Sequence, residues 1–470
     1  MAREQEVQAP VESLPDALSR RLDFRLAVAL MLVAFFVYNL NFRVISEGDS
    51  LPARFLPFAV LEHGSLHLDS VLAATRQGHP PQDTYWVVRG RDGGMASMYP
   101  LVAPLLVVPA YVPAWLFLRH VGWRPWTLDF LGELMEKVAA SIVASVTVGL
   151  LFLLLRRRLG RRDALLLAAL FAFATNTWVI GSQALWQHGT GELLVTVALL
   201  AMTAAPSGWN VLLAGLATGL LPANRPPDLL LAVGFSLYAL FWARRKLPLF
   251  VLAAALPILL TVAYTEWMFG NLTGGYGVSG VVQPSFFAGG VWVGVAGLLV
   301  SPGKGLFVFS PFLLALPLAF RQSLKDRPYR RLTLCLAVAV VGQVFLYART
   351  DWRAGYSWGP RFLTDLLPIL FFLLAPIYAA LGRWPRRAFL AAALFSIAVQ
   401  MVGAFYYQGR SDILMYQGPG PDELRAWRLE NTPFWADLQS GHAPMPFLHK
   451  GVRWVLGRSG ETRRSISGPG

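Results

Sequence analysis

The chain has 470 residues, 55% of them hydrophobic and 14% charged, with mean hydropathy +0.49 and net charge +14. Soluble domains run at about 45–50% apolar and about 25% charged, so this chain lacks the polar groups needed to cover a water-facing surface. That balance argues against a soluble enzyme, a disordered chain or a fibrous repeat, and for an all-α polytopic membrane protein. The excess of Lys and Arg fits the cytoplasmic ends of membrane helices. No basic stretch interleaved with exposed aromatics is present, so nucleic acid is not an expected partner. The single Cys335 lies in an apolar run, which leaves disulfides no part.

Met1 to Arg21 is polar and reads as a cytoplasmic tail, with a tail region of 1–23. A bilayer-crossing helix needs about 20 largely apolar residues. The first such run is Phe24–Asn41, flanked on its cytoplasmic side by Arg20, Arg21 and Arg25. A first outer loop, 43–127, follows. In it Ser50 to Glu62 predicts a short amphipathic helix on the membrane surface, with Ser50 as N-cap and Pro52 in the first turn. Leu101–Leu118 carries Pro104, Pro109 and Pro113 and reads as a re-entrant or interfacial hairpin.

Leu128–Leu155 ends in Arg156-Arg-Arg-Leu-Gly-Arg-Arg162, the strongest cytoplasmic signal in the chain. Spans are then expected at Ala164–Ile180, Gly191–Ala205, Val211–Leu221, Leu229–Trp242, Leu249–Trp267, Leu306–Phe320, Leu332–Tyr347, Phe362–Leu381 and Phe389–Phe405. On this count the loops 156–162, 244–246, 321–331 and 383–387 all fall inside. The total is about eleven spans across 24–405, N-terminus inside and C-terminus outside. Residues 406–470 form an outer extension: a turn at 417–421, a polar helix at 422–437, a membrane-resting segment at 447–456, and a last dozen residues without structure.

Polar residues gather at five places on the outer side. Ser46-Glu47-Gly48-Asp49-Ser50 offers two carboxylates able to act as a base or to hold Mg²⁺ or Mn²⁺, though alone they supply too few ligands for a closed metal site. Ser97-Met-Tyr-Pro100 offers the hydroxyl of Tyr99, and Ser182 to His188 joins Gln, Trp and His188. Asn224-Arg-Pro-Pro-Asp228 places Arg225 at the outer end of a span. The fifth place has two parts. Ser301 to Phe307 is a glycine-rich turn bearing Lys304, and Asp351 to Arg361 carries Trp352, Arg353, Tyr356, Trp358 and Arg361. Gly-turn amides and fixed cations favour a phosphate. Taken singly, each residue has a structural explanation such as a cap or an interfacial anchor; five places opening on one face call for a shared site.

An acidic motif after the first span, a long first outer loop and about eleven spans resemble the GT-C glycosyltransferases, which use polyprenyl-phosphate-linked sugars. The protein mannosyltransferase-like and aminoarabinose-transferase-like bacterial members are similar at Leu-Gly-Arg-Arg (159–162), Ser-Pro-Gly-Lys-Gly-Leu-Phe (301–307) and Trp-Gly-Pro-Arg (358–361). The resemblance covers 24 to about 405 and not the extension. It implies a GT-C-like bundle in a bacterial cytoplasmic membrane. It places the family's acidic motif on Glu47 and Asp49, here separated by a glycine where many members have adjacent acids.

Under that reading Asp49 activates an acceptor hydroxyl of a glycan, lipid or protein, with Glu47 positioning the acceptor or a cation. Lys304, Arg361 and Arg225 hold the donor phosphate. Arg54, Tyr99, His188, Trp352, Arg353, Tyr356 and Trp358 contact substrate. The alternative is a lipid or lipid-linked-sugar transporter, whose ionisable residues belong near the bilayer midplane; here Glu133, Glu136 and Glu192 lie near span ends. A non-catalytic scaffold accounts for the spans but not for the gathered outer residues.

Overall fold

The computed structural model describes residues 16–75, 85–280, 287 and 289–448. Apolar runs punctuated by proline and glycine set the helices. The first half contains α1 (Asp16–Asn39), α2 (Leu51–His63), α3 (Asp69–Ala73), α4 (Val102–Leu106), α5 (Val108–Val121), α6 (Pro125–Leu155) and α7 (Arg161–Phe173). Next come α8 (Gln187–Met202), α9 (Gly208–Asn224), α10 (Leu229–Trp242), α11 (Leu247–Phe269), α12 (Gly275–Val278) and α13 (Val291–Val300). The last group is α14 (Leu306–Phe309), α15 (Leu316–Ser323), α16 (Arg330–Ala348), α17 (Leu367–Ala380), α18 (Arg383–Tyr406), α19 (Arg410–Gln417), α20 (Asp422–Arg425) and α21 (Pro433–Ala436). Proline in the first turn starts α6 and α11, and a left-handed Gly270 ends α11, as helix-terminus chemistry favours.

Among the described residues six helices are long and apolar enough to cross a membrane: Leu18–Asn39, Pro125–Leu155, Arg244–Phe269, Arg330–Ala348, Arg361–Ala380 and Arg383–Tyr406. The remaining expected spans are shorter or interrupted. The run at 164–180 leaves α-geometry after Phe173 and ends in a π-helical turn, Thr177–Gly181. The run at 306–320 is broken at Ser310 and Pro311 into α14, a 3₁₀ turn at Pro311–Ala315, and α15. Helix α13, an apolar segment not among the expected spans, packs closely through its glycines. A Cβ at Gly294 would stand 2.1 Å from the Ala348 carbonyl, and one at Gly297 2.4 Å from the Trp352 ring, so only glycine permits this close packing on α16.

The Arg-rich loops meet at one end of the bundle. Arg156 and Arg161 pair with Asp23 at 3.1 and 2.6 Å, Arg158 pairs with Asp326 at 2.7 Å, and Arg386 pairs with Asp163. Lys246 reaches the Pro206 carbonyl at 2.9 Å, and Arg157 reaches Leu200 and Thr203. At the other end Asn41 bonds Gln183 at 2.7 Å and the Ala404 carbonyl at 2.9 Å, tying α1 to the turn before α8 and to α18.

The first outer loop is more compact than its sequence suggests. Helix α2 forms, but residues 52–59 are buried on every side among α3, α4, α5 and α6, so it is an interior helix and not a surface-lying one. Ser50 does not cap it through its side chain; the hydroxyl donates to the Glu47 carbonyl inside a 3₁₀ turn, Gly48–Ser50. The 101–118 run becomes α4 and α5, the latter about 21 Å long and too short for the hydrocarbon core. A small antiparallel hairpin, β1 (Val87–Arg89) with β2 (Met95–Ser97), completes the loop in the register Val87 to Ser97. In the extension the expected helix at 422–437 is divided into α20, a 3₁₀ turn at Leu429–Asn431, and α21, with Pro433 opening the last piece. Most of the 447–456 segment, the last dozen residues and the first fifteen of the N-terminal tail lie outside the described residues.

Candidate active site

Asp49 is the meeting point of three distant parts of the chain. Its Oδ2 accepts a hydrogen bond from Arg361 Nη1 at 2.7 Å, across 312 positions of sequence. Its Oδ1 accepts from Tyr99 Oη at 2.7 Å and from Tyr85 Oη at 3.3 Å. The glycine between the two acids has a steric reason: a Cβ at Gly48 would sit 2.2 Å from Tyr85 Oη. Arg361 opens the 3₁₀ turn Arg361–Leu366 that leads into α17, and its guanidinium lies 4.7 Å over the Trp186 ring. Tyr276 stands edge-on to Tyr99 at 5.7 Å. Acid, cation and phenols therefore line one cleft at the end remote from the Arg-rich loops.

The two carboxylates differ in character. Burial raises the Asp49 carboxyl, but the Arg361 charge and the hydrogen bonds from Tyr99, Arg361 and Tyr85 outweigh it, holding Asp49 below its usual value. Glu47 is exposed at the rim, yet it has no such set of donors. Desolvation by the surrounding walls, then the Asp412 and Asp49 charges, push it up to about 7, with Arg361 pulling the other way. Burial and the adjacent Asp49 raise Tyr99 and Tyr85, which stay protonated donors.

Behind the cleft lies a second polar layer. Asp365, one helical turn beyond Arg361 and fully buried, accepts from Arg225 Nη1 at 2.7 Å and lies 3.0 Å from His188 Nδ1. Arg225 also donates to the Tyr347 hydroxyl and stacks over the Tyr347 and Phe362 rings. Asp228 accepts from Gln343 at 2.8 Å. His188 is within electrostatic reach of both Arg361 and Asp49. Arg225 and His188 therefore reach the cleft through Asp365 and not as free groups.

Lys304 is sealed. Its ammonium pairs with Asp412 of α19 at 3.0 Å and donates to the Gly355 carbonyl at 3.3 Å and to Ser357, leaving the side chain 1% exposed. Burial lowers its pKa and Asp412 pulls it back only in part. Of the other expected contact residues, Arg54 is held by Glu136 at 2.6 Å and Ser46 at 2.7 Å, buttressing the acidic turn from behind. Trp358 is fully buried against Phe309, Tyr407 and Gly403, a core role. Trp352 packs on Gly297 and Trp427, Arg353 pairs with Asp351 at 2.8 Å, and Tyr356 stacks on Tyr416. These three face the extension.

Tyr85, Asp365 and Asp412 were not singled out from sequence. Asp365 had a usable signal, since it lies one turn past Arg361 at the start of a span. Among the described residues no group of three or more His, Cys, Asp or Glu stands close enough to hold a metal ion. The Asp49 oxygens already face a guanidinium, whose charge opposes a divalent cation there, so Glu47 and Asp49 do not fit the Mg²⁺ or Mn²⁺ role.

No protein-family model matches the chain, and no curated protein does. In structure it is similar to ArnT from Cupriavidus metallidurans in the apo state, with TM-score 0.43 and 16% identity over 90% of this chain and 77% of that one. It is also similar to the archaeal oligosaccharyltransferase AglB from Archaeoglobus fulgidus, in complex with an inhibitory peptide and a dolichol-phosphate. There the TM-score is 0.39 and the identity 12%, over 87% of this chain and 60% of that one. The chain's own helices and charges make it a multi-pass α-helical membrane protein with an acid–cation cleft at the end opposite its Arg-rich loops.

Proposed function

We propose that the chain is a GT-C-type glycosyltransferase of a bacterial cytoplasmic membrane. It moves a sugar from a polyprenyl-phosphate donor to an acceptor hydroxyl of a glycan, lipid or protein on the extracytoplasmic side, inverting the anomeric centre. The observation that carries this reading is the Asp49–Arg361 contact, which brings an acid and a cation 312 positions apart into one cleft. The Arg-rich loops at the other end support an outward-facing cleft by the positive-inside tendency.

The chemistry follows from the split between the carboxylates, since environments that push two titrating groups apart assign them different roles. Glu47, near neutrality, takes the acceptor's proton; Asp49 stays ionised and holds Arg361 and the tyrosines in register. This exchanges the roles expected from sequence, where Asp49 is the favoured base and Glu47 positions the acceptor or a cation. The freed acceptor oxygen attacks the anomeric carbon, and the carbon–phosphate oxygen bond breaks on the opposite face. Polyprenyl phosphate departs with the electron pair. Arg361 meets the charge that develops on that phosphate, and its buried Nε has no partner among the described residues. Arg225, paired with Asp365, and Lys304, paired with Asp412, act by holding their turns and not as free phosphate ligands.

A base contributes about 10²–10⁴-fold in rate and one lost donor to developing charge costs about 10²–10³-fold. The test is sugar transfer by the purified protein in nanodiscs, screened over several polyprenyl-phosphate sugars. Wild-type transfer with a loss of about 10²-fold or more in Arg361→Met is expected. Movement of the lipid-linked sugar between leaflets without transfer would replace this reading with the transporter one.

A further inference from the structure

The C-terminal extension reaches into the bundle at Asp412. Its carboxylate is fully buried between Lys304 Nζ, at 3.0 Å, and the Tyr407 hydroxyl. Lys304 in turn donates to Gly355 and Ser357, and Arg361 follows four residues after Ser357. One turn along α19 from Asp412, Tyr416 accepts a hydrogen bond from the Gly355 N–H at 2.8 Å. The Tyr416 ring is stacked on Tyr356 and covered by the Arg353 guanidinium at 4.5 Å. Gly303 is gripped as well: its N–H donates to the Ala426 carbonyl at 3.2 Å, and a Cβ there would meet Met415 at 2.7 Å. The extension thus holds both cation-bearing turns, 301–305 and 351–361.

The 351–361 turn needs such a hold. Ala354, Gly355 and Gly359 have φ of 64°, 66° and 55°, and an alanine in the left-handed region persists only where its surroundings over-determine it. A buried ion pair is poor evidence of stability, because apolar residues of like volume serve as well; its attested use is to fix one arrangement over others.

We propose that Asp412 is a positioning residue of the transfer reaction: through Lys304 it fixes the 355–357 turn and so aims Arg361 at Asp49, which makes the extension part of the active site. The transfer role rests on the function proposed above. The Asp412 charge also acts on Glu47, as do those of Asp49 and Arg361, with Tyr85 and Tyr407 in the same field. Losing its charge therefore moves the Glu47 titration to lower pH.

The experiment compares full-length wild type, Asp412→Asn, Asp412→Glu and Tyr416→Phe in nanodiscs. It reads kcat, donor KM, the pH profile, and amide hydrogen exchange of the 351–361 segment without substrate. Asp412→Asn is expected to lower kcat by up to about 10²-fold, the scale of a 1 Å misplacement, with KM little changed and the acidic limb shifted down. Asp412→Glu restores most of kcat and the limb. The 351–361 amides exchange about tenfold faster in Asp412→Asn while the Arg-rich end is unchanged. Wild-type kcat and wild-type exchange in folded Asp412→Asn overturn the proposal. If that variant does not fold, Tyr416→Phe decides: unchanged exchange at 351–361 overturns it, faster exchange upholds it. A wild-type protein that transfers no sugar sinks the proposed function, and the exchange arm still reads the hold of Asp412 on the turn.

Discussion

Replacing Glu47 by Gln tests the division of labour between the two acids. Its carboxyl titrates at about 7 against an ordinary 4.5, from desolvation and the Asp412 and Asp49 charges. A group titrating at about 7 is about 1% ionised at pH 5, so a step needing its base form runs about 100-fold slower there than on the alkaline plateau. At its ordinary value the same group would be about three-quarters ionised at pH 5 and the rate would scarcely fall. The assay is kcat/KM for sugar transfer from pH 5 to 9, which reports ionisations of the free enzyme. Wild type should show the limb; Glu47→Gln should lack it and lie about 10²–10⁴-fold lower on the plateau. Asp49→Asn removes a like charge and leaves Arg361 unopposed, so its limb moves to lower pH. A flat wild-type profile, or a limb that survives in Glu47→Gln, refutes the assignment. Stability follows the same linkage. A carboxyl whose folded pKa is raised favours folding below its unfolded value of about 4.5, and that contribution is lost as pH rises through about 7. Glu47→Gln should flatten Tm across that window.

Asp365→Asn leaves Arg225 charged with 9% of its side chain exposed, and should cost about 3 kcal/mol, the lower part of the range for a broken buried pair because Asp228 lies close by; a loss under about 1 kcal/mol in detergent unfolding would be too small. Gly48→Ala displaces the exposed Tyr85 ring from Asp49, so it and Tyr85→Phe should lower kcat alike and without additivity in the double variant; additive losses would contradict the contact. In a Cys335→Ala background, a cysteine at exposed Arg91 should react with an impermeant maleimide from outside, and one at exposed Arg245 only after permeabilisation. The opposite pattern would invert the topology.

Hydropathy reads a run of residues and so it located α1, α6, α11, α16, α17 and α18, which are long and apolar. It failed where local backbone chemistry overrides the run: at Ser310 and Pro311, and at the π-helical turn after Phe173. Chemical type marked Glu47, Asp49, Tyr99 and Arg361, and the fold brings them to one cleft. Pairing was not legible, because partners are chosen by contacts far apart in the chain. Lys304 read as a free cation while its counter-charge, Asp412, waited in an extension 108 residues away. Arg54 read as a substrate contact when Glu136, on a different helix, holds it. Burial decides whether a charge is available, and burial is a property of the assembled bundle.

Arg158 has a side chain 3% exposed, packed over Phe372 and Tyr329 and paired with Asp326. The same guanidinium belongs to the cluster that biases the nascent chain toward keeping this end in the cytoplasm. One positive charge therefore serves biogenesis first and the finished architecture afterwards. Any substitution that neutralises it confounds mis-insertion with loosening of the bundle, and only a change restoring charge without the planar fork, such as Arg158→Lys, separates the two.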